Sequence, residues 1–191
     1  MNDIKKGTVD QEFTIECEDV LLIEYRLQDL DSLVNLTQQP EIYEYLPDWR
    51  ASREQRLDWM MNYEIPENKR FLQATVEDGE INELCLRMGI ILKETGEFIG
   101  WCCTGMKEEL PAPNREVMYA ISRNHRNKGY TTQAVNGLTK FLFEHTNISE
   151  LNAIALLRNV ASNKVIEKSG FTKVGAIEID GESYHHYKLY R

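Results

Sequence analysis

A strand that leads through a basic turn into an amphipathic helix is the segment that most constrains the fold of this chain. It reads Ile121-Ser122-Arg123-Asn124-His125-Arg126-Asn127-Lys128-Gly129-Tyr130-Thr131-Thr132-Gln133-Ala134-Val135. N–H groups left unpaired at a helix start, with the positive end of the helix dipole behind them, favour an anion such as a pyrophosphate. Gly129 has no Cβ and lets the main chain approach such a group closely, while Arg126 and Lys128 add positive charge. The pattern predicts an anion site, with an ordinary basic turn as the alternative.

The first third of the chain is predicted to be helical around one strand. Val20-Leu21-Leu22-Ile23-Glu24-Tyr25 reads as a strand, and apolar residues recur at helical spacing from about Asp29. Ser52-Arg53-Glu54-Gln55 has the pattern of a capping box and is expected to open a second helix. Residues 1–19 are polar and acidic, which indicates an N-terminal tail or a first edge strand.

The rest of the chain contains most of the predicted strands. Strands are predicted at 71–76, 85–92, 97–104 and 116–122, and the second and third of these form a hairpin. A strand at 151–157 and a helix at 161–169 precede a final hairpin that turns on Asp180-Gly181. The sequence therefore predicts one α/β (α+β) domain over residues 20–191, with a mixed, mostly antiparallel central sheet and helices on both faces.

The charge balance narrows the partners that the chain can bind. Thirty-one acidic side chains against 22 basic ones give a formal charge of −9, whereas binding to nucleic-acid phosphates needs clustered Lys and Arg. We therefore expect no direct nucleic-acid contact and a preference for a cationic partner. The sequence begins without the apolar run of a signal peptide and has no window as apolar as a membrane span. This indicates a cytoplasmic protein without a membrane partner.

The cysteines and histidines do not form a metal-binding pattern. The four cysteines lack CxxC spacing and are interpreted as buried free thiols. His185 and His186 are neighbours on one predicted strand, so their side chains point to opposite faces and cannot share one ion. We expect no metal site.

Two segments together resemble the GCN5-related N-acetyltransferase (GNAT) superfamily. Its signature [QR]-x-x-G-x-[GA] lies between a strand and a helix, where this chain has Arg126-Asn127-Lys128-Gly129-Tyr130-Thr131. The second segment is Asn159-Val160-Ala161-Ser162-Asn163-Lys164-Val165-Ile166-Glu167-Lys168-Ser169-Gly170-Phe171. It is similar to the N-x-x-S-x-x-x-x-x-K-x-G-F form of the branch that acetylates ribosomal-protein N-termini. The resemblance spans roughly residues 20 to 190 and implies a single GNAT-type domain over residues 20–191.

The resemblance implies how acetyl-CoA binds. Main-chain N–H groups from about Lys128 to Thr131 would hold the pyrophosphate, and the strand end would pair with the pantetheine. The implied cofactor-binding residues are Ile121, Ser122, Arg126, Asn127, Lys128, Gly129, Tyr130, Thr131 and Asn159. Ile121 and Ser122 supply the strand pairing, and Asn159 contacts the pantetheine arm. Thr131 stands where the family usually has Gly or Ala, and its branched side chain is expected to crowd the helix start.

Two residues are candidates for the catalytic chemistry. Ile166 stands where many relatives carry a tyrosine that protonates the leaving thiolate, and the branch resembled here implies Ser162 in that role. A helix hydroxyl that bonds a backbone carbonyl is the alternative for Ser162. Glu116, at the start of the strand before the basic turn, is the candidate general base, with an exposed strand carboxylate as the alternative. His125 is expected to be a solvated side chain on the phosphate side.

The predicted function is an acetyl-CoA-dependent N-acetyltransferase that acts on a primary amine by direct transfer, the amine being a protein N-terminus or a small molecule. An aminoglycoside-type acetyltransferase and a catalytically inactive CoA-binding regulatory protein are the alternatives. An acyl-cysteine intermediate on Cys102 or Cys103 is disfavoured against core thiols. Acceptor specificity is expected near Tyr43, Tyr45 and Trp49. Homodimerisation through the final hairpin or a sheet edge is left open.

Overall fold

The computed structural model describes residues 12–191, and over that range it contains one eight-stranded sheet. The strands are β1 (Thr14–Glu16), β2 (Val20–Glu24), β3 (Leu86–Leu92), β4 (Phe98–Met106), β5 (Arg115–Ile121), β6 (Glu150–Leu156), β7 (Thr172–Ile179) and β8 (Glu182–Tyr190). They are ordered β1-β2-β3-β4-β5-β6-β8-β7, and every neighbouring pair is antiparallel except β5 and β6. The prediction of a mixed, mostly antiparallel sheet is confirmed.

The helices lie in two groups along the chain. They are α1 (Leu30–Thr37), α2 (Pro40–Tyr43), α3 (Arg53–Trp59), α4 (Ile65–Glu77), α5 (Tyr130–His145) and α6 (Val160–Lys168). A π-helical segment, Met60–Glu64, joins α3 to α4 without a break. The predicted helix start at Ser52 is confirmed, because its side chain accepts a hydrogen bond from the Gln55 N–H at 3.2 Å.

The predicted strand at 71–76 is wrong, because these residues belong to α4. Met60, Glu64, Asn68 and Phe71 are all buried, and their spacing of four, four and three residues is that of one helix face. Asn68 also ties the helix to β3, since its side chain accepts from the Arg87 N–H and donates to the Arg87 carbonyl, both at 2.8 Å. Taken alone, the apolar residues after Lys69 suggest a strand. The preceding turns have helical spacing, however, and the helix continues through these residues.

Helices cover both faces of the sheet, as predicted. Cys102 of β4 lies in the core that includes Leu138 of α5 and Ile166 of α6. Its neighbour Trp101 lies in the second core, together with Leu33 of α1. Because successive strand residues point to opposite faces, these two cores identify the two sides of the sheet.

The two ends of the described sheet correspond to the predicted N-terminal edge strand and the predicted final hairpin. Thr14–Glu16 form the edge strand β1, and residues 1–11 of the predicted tail or edge strand lie outside the described residues. The final hairpin turns on Asp180 and Gly181, whose φ angles of 51° and 77° are both positive. This confirms the predicted Asp-Gly turn. Across residues 12–191, no helix is long and apolar enough to cross a bilayer.

Candidate active site

The parallel strands β5 and β6 pair at one point and then separate. Glu116 and Asn152 are the residue pair in register. Asn152 is fully buried, and its Nδ2 donates to the carbonyls of Pro113 at 2.9 Å and Arg115 at 3.2 Å. These bonds fix the start of β5 against β6. In the described residues β5 and β6 have no further residue pair in register, and we call the unpaired space between them the gap.

The main-chain groups that face this gap belong to Tyr119 and Ile121. The Ser122 N–H donates to the Ile99 carbonyl at 2.8 Å, so it faces β4. Because alternate residues of a strand direct their N–H and C=O groups to opposite neighbours, Tyr119 and Ile121 face β6. The Ser122 carbonyl also accepts from the His125 N–H at 2.9 Å. The main-chain groups of Ser122 are therefore already used within the protein, whereas those of Ile121 suit the predicted pantetheine pairing, which stays a prediction for both residues.

The start of α5 has the features of an anion cradle. Gly129 is the N-cap, has a φ of 83°, and provides no side-chain acceptor for the first turn. The first main-chain bond of the helix runs from the Gln133 N–H to the Gly129 carbonyl at 3.0 Å, which leaves the N–H groups of Tyr130 to Thr132 without a main-chain acceptor in the described residues. A Cβ placed on Gly129 would meet nothing within 4 Å. Unpaired N–H donors at a helix start, next to open space at Gly129, are features that suit a phosphate group.

The basic residues of the turn differ in their contacts. Arg126 is half-buried, and its Nη2 donates to the Glu41 carbonyl of α2 at 2.8 Å. Lys128 and Asn127 are exposed, and the Lys128 Nζ lies 6.0 Å from the centre of the Tyr130 ring. Thr131 is only 8% exposed, so its side chain packs inward beneath the helix start. The predicted crowding of the helix start by this side chain stays a prediction.

At the start of α6, Asn159 and Ser162 are joined as a cap. The Asn159 Oδ1 accepts from the Ser162 N–H at 3.1 Å. The Ser162 Oγ lies 2.9 Å from the Tyr119 Oη, and the same Oη lies 3.0 Å from the Ser162 carbonyl oxygen. Ile166 is 1% exposed in the core, which excludes it from contact with a substrate.

Tyr119 is the residue near the gap that the sequence analysis missed. Burial raises the pKa of its phenol, and the hydrogen bond with Ser162 opposes that rise. The sequence offers one signal for Tyr119: in the strand predicted at 116–122, its side chain lies on the same face as that of Ile121. Its contact with α6 joins residues 43 positions apart and has no local signature.

Glu116 is a buried carboxylate, not an exposed one. It is 8% exposed, and burial raises its pKa to about 7, although the Lys107 ammonium opposes that rise. Glu116 and Tyr119 are three residues apart on one strand, so they face opposite sides of the sheet. Ser162 contacts Tyr119, so the two predicted catalytic residues, Glu116 and Ser162, flank the gap from opposite faces. A substrate in the gap would separate them.

The remaining histidines and cysteines have structural contacts. His125, predicted to be solvated, instead has a side chain 10% exposed with Nε2 3.5 Å from a carboxylate oxygen of Glu97. The His186 Nε2 lies 2.8 Å from the Asn152 Oδ1. Cys102 and Cys103 are buried free thiols whose pKa values burial raises well above the usual range. Within residues 12–191, no three His, Cys, Asp or Glu side chains are grouped as metal ligands.

Comparisons with known proteins identify the same type of domain. The family described as "Acetyltransferase (GNAT) domain" matches residues 19–172. A Bacillus licheniformis protein named "Uncharacterized N-acetyltransferase p20" is 28% identical over 167 residues, which cover 86% of this chain and 85% of that protein.

Solved structures share the fold at low sequence identity. An acetyltransferase of the GNAT family from Bacillus anthracis has a TM-score of 0.73 and 16% identity, with 93% of this chain and 98% of that chain covered. The ribosomal-protein-S5-alanine acetyltransferase from Vibrio fischeri has a TM-score of 0.71 and 18% identity, covering 93% and 96%. The aminoglycoside acetyltransferase AAC(6')-Ib in complex with coenzyme A has a TM-score of 0.70 and 15% identity, covering 90% and 95%.

Proposed function

The chain belongs to the GNAT acetyltransferase family, and from that premise we propose that it transfers the acetyl group of acetyl-CoA directly to a positively charged primary amine. The observation that carries this proposal is Glu116, a buried carboxylate with a pKa of about 7, placed where β5 and β6 begin to separate. A group with this pKa is ionised in part at neutral pH and can accept a proton.

The residues around the gap and the α5 start suit acetyl-CoA as a substrate. We assign the pyrophosphate to the N–H groups from about Lys128 to Thr131, with the exposed Lys128 as an adjacent cation. We assign the pantetheine to the main-chain groups of Tyr119 and Ile121, with the free Nδ2 of Asn159 as a further donor. The helix dipole contributes only about 0.3 to 2 kcal/mol, so several donors must act together. The bound thioester supplies an activated acetyl group.

Proton removal from the acceptor is the main task of this chain's own residues. An alkyl amine with a pKa near 10.4 is neutral in only about one molecule in 2,500 at pH 7, which costs about 4.6 kcal/mol. Glu116 would accept this proton, directly or through a water molecule. An N-terminal α-amine has a pKa near 8 and needs far less help, which favours a protein or peptide N-terminus as acceptor.

The charges on the Glu116 side of the sheet favour a cationic acceptor. Two cations near Tyr184 are already paired: the Lys107 Nζ lies 2.9 Å from Glu109, and an Arg158 Nη lies 2.6 Å from Glu182. The pKa of Tyr184 in β8 is raised first by burial and then by the Glu182 carboxylate, whereas the positive charges of Lys107 and Arg158 lower it. Glu116 itself has no cation within ion-pair distance in the described part of the chain. Because each of these cations already has a carboxylate partner, Glu116 is left as a carboxylate that an acceptor ammonium could pair with.

The state of Cys102 and Cys103 supports direct transfer. A thiolate is the nucleophilic form of cysteine, and the raised pKa values of Cys102 and Cys103 keep both thiols protonated at neutral pH. An acyl-cysteine intermediate is therefore disfavoured. Incubation with acetyl-labelled acetyl-CoA in the absence of an amine should leave the protein unlabelled.

The second candidate acceptor is an aminoglycoside. The formal charge of −9 would suit a polycation as well as a single amine, and the fold is shared with an aminoglycoside acetyltransferase. An α-amine remains our first choice because it needs less help with proton removal. A CoA-binding protein without turnover is disfavoured by family membership and by the buried Glu116.

An acceptor panel tests the proposal. Thiol release from acetyl-CoA is measured with a short peptide that has a free N-terminus, the same peptide with a blocked N-terminus, and an aminoglycoside. We expect release with the free peptide, none with the blocked one, and a KM that rises with salt because charges attract the acceptor. Release with the aminoglycoside alone would establish the second candidate, and no release with any amine would refute the proposed function.

A further inference from the structure

The hydroxyl groups of Tyr119 and Ser162 form a pair with two arrangements of their protons. The Tyr119 Oη lies 2.9 Å from the Ser162 Oγ and 3.0 Å from the Ser162 carbonyl oxygen. A phenol has one proton, and a carbonyl oxygen can only accept. The phenol therefore donates either to the carbonyl or to the Oγ.

These two arrangements differ in what Ser162 can do. If the phenol donates to the carbonyl, the Ser162 hydroxyl is left to donate back to the Tyr119 Oη, and its proton is used inside the pair. If the phenol donates to the Oγ, the Ser162 proton is free to point elsewhere. In the second arrangement the bond from Tyr119 also polarises the Ser162 hydroxyl and makes it a stronger donor.

We propose that Tyr119 is a positioning residue for the acetyl transfer, which directs the proton of Ser162 towards the leaving sulfur of CoA. The inference rests on the proposed function. Glu116 first takes one proton from the ammonium and releases it to solvent. As the C–N bond forms and the C–S bond breaks, the second amine proton passes to Glu116, and negative charge develops on the sulfur. Ser162 donates a hydrogen bond to that charge and keeps its proton, and the sulfur then takes a proton from solvent.

The surroundings of the pair support this role. Ser162 is the third residue of α6, so it lies in the first turn at the positive end of the helix dipole, which favours a nearby anion. Asn159 fixes its N–H at 3.1 Å. Tyr119 stands on the strand whose main-chain groups face the gap. Burial holds the pKa of Tyr119 well above its usual range, which keeps the phenol protonated as a donor.

A positioning role for Tyr119 also accounts for Ile166, which stands where many relatives carry a tyrosine. Ile166 is buried in the core, so α6 presents no phenol to a substrate from that position. Tyr119 brings a phenol to the same helix from β5, and it acts through Ser162 instead of contacting the sulfur.

Tyr187→Phe provides a matched control for Tyr119→Phe. The Tyr187 Oη donates to the Asn163 Oδ1 of α6 at 2.7 Å, and Tyr187 is fully buried. Both variants remove one phenol oxygen that holds α6, but only Tyr119 contacts Ser162. Loss of α6 anchoring alone would affect both variants, whereas loss of proton direction would affect only Tyr119→Phe.

The test is a double-mutant cycle on kcat with the best amine of the acceptor panel. We expect Tyr119→Phe to lower kcat about 3- to 10-fold, the size of one hydrogen bond, with unchanged KM for both substrates and unchanged CoA affinity. Ser162→Ala should lower kcat at least as much, and the double variant should be no slower than Ser162→Ala. Tyr187→Phe should lower the unfolding temperature and leave kcat as in the wild type.

Three outcomes would overturn the inference. An unchanged kcat in Tyr119→Phe, with an active wild type, refutes it and leaves the proposed function standing. A double variant as slow as the product of the single effects shows that Tyr119 does not act through Ser162. A wild type without turnover on any amine refutes both the inference and the proposed function.

Discussion

Glu116 of β5 and Asn152 of β6 form the pair at which the two parallel strands meet. Asn152 is held in turn by His186 of β8, whose Nε2 lies 2.8 Å from its Oδ1. Because the Asn152 Nδ2 already donates to two carbonyls, its oxygen is the acceptor and the His186 ring donates. The position of the carboxylate at the mouth of the gap therefore depends on bonds that extend across three strands.

The first prediction concerns the general base. Glu116→Gln should lower kcat by about 10²- to 10⁴-fold, the usual contribution of a positioned base. In the wild type, kcat/KM should rise with pH and level off above pH 7, because the carboxylate with a pKa of about 7 must lose its proton to act. The rise should be absent in the variant. Glu178→Gln, an exposed carboxylate on β7, serves as the control.

A wild-type pH profile without a break near pH 7, or an unchanged profile in Glu116→Gln, would contradict this assignment. The pH series is measured by thiol release at low acceptor concentration.

The same carboxylate should destabilise the fold at high pH. Its pKa is raised from 4.5 to about 7 in the folded state, so the folded protein holds its proton more tightly than the unfolded chain. The stability from this group is complete below about pH 4.5 and is lost as pH rises through 7. At about 1.4 kcal/mol per pH unit, the loss is about 3 kcal/mol.

Glu116→Gln removes this loss. Relative to the wild type, its free energy of unfolding should therefore increase between pH 5 and pH 8, by up to about 3 kcal/mol. Urea unfolding at the two pH values measures this difference. An equal difference at both values would mean that the folded pKa is not raised.

The third prediction concerns the buried ion pair between Arg56 and Glu64. The Arg56 Nη1 lies 2.9 Å from a carboxylate oxygen of Glu64, and both side chains are less than 10% exposed. Arg56→Met leaves the Glu64 carboxylate buried without this partner and should cost about 3 to 5 kcal/mol. Arg53→Met is the matched control, because its 2.7 Å pair with Asp31 is exposed to solvent, and its loss should change the free energy of unfolding far less. Equal losses in the two variants would contradict the argument from burial.

Local patterns in the sequence were sufficient to predict much of the fold. The Asp180-Gly181 turn and the Ser52 cap each depend on a few adjacent residues, so the sequence alone identified them. The helix at 65–77 was missed because its buried face begins in the π-helical segment, upstream of the apolar residues that suggested a strand. Hydrophobic periodicity separates a helix from a strand reliably only when the stretch of sequence considered includes the whole element.

The details of the site were harder to predict because they depend on neighbouring strands. Which main-chain groups of 119–122 face the gap is set by the bond from Ser122 to Ile99 of β4. The contact between Tyr119 and Ser162 likewise arises only when β5 and α6 pack together. Burial of Glu116, and hence its raised pKa, follows from the same tertiary packing.

The most direct test of the account is a calorimetric titration of acetyl-CoA into the wild type, Gly129→Glu and Gly170→Glu. Both glycines have positive φ angles, 83° and 87°, and each variant adds one negative charge, but only Gly129 lies at the α5 start. We predict micromolar binding to the wild type and Gly170→Glu, and at least tenfold weaker binding to Gly129→Glu, because the added carboxylate would repel the pyrophosphate. Absence of binding to the wild type, or equal binding to Gly129→Glu, would contradict the proposed site.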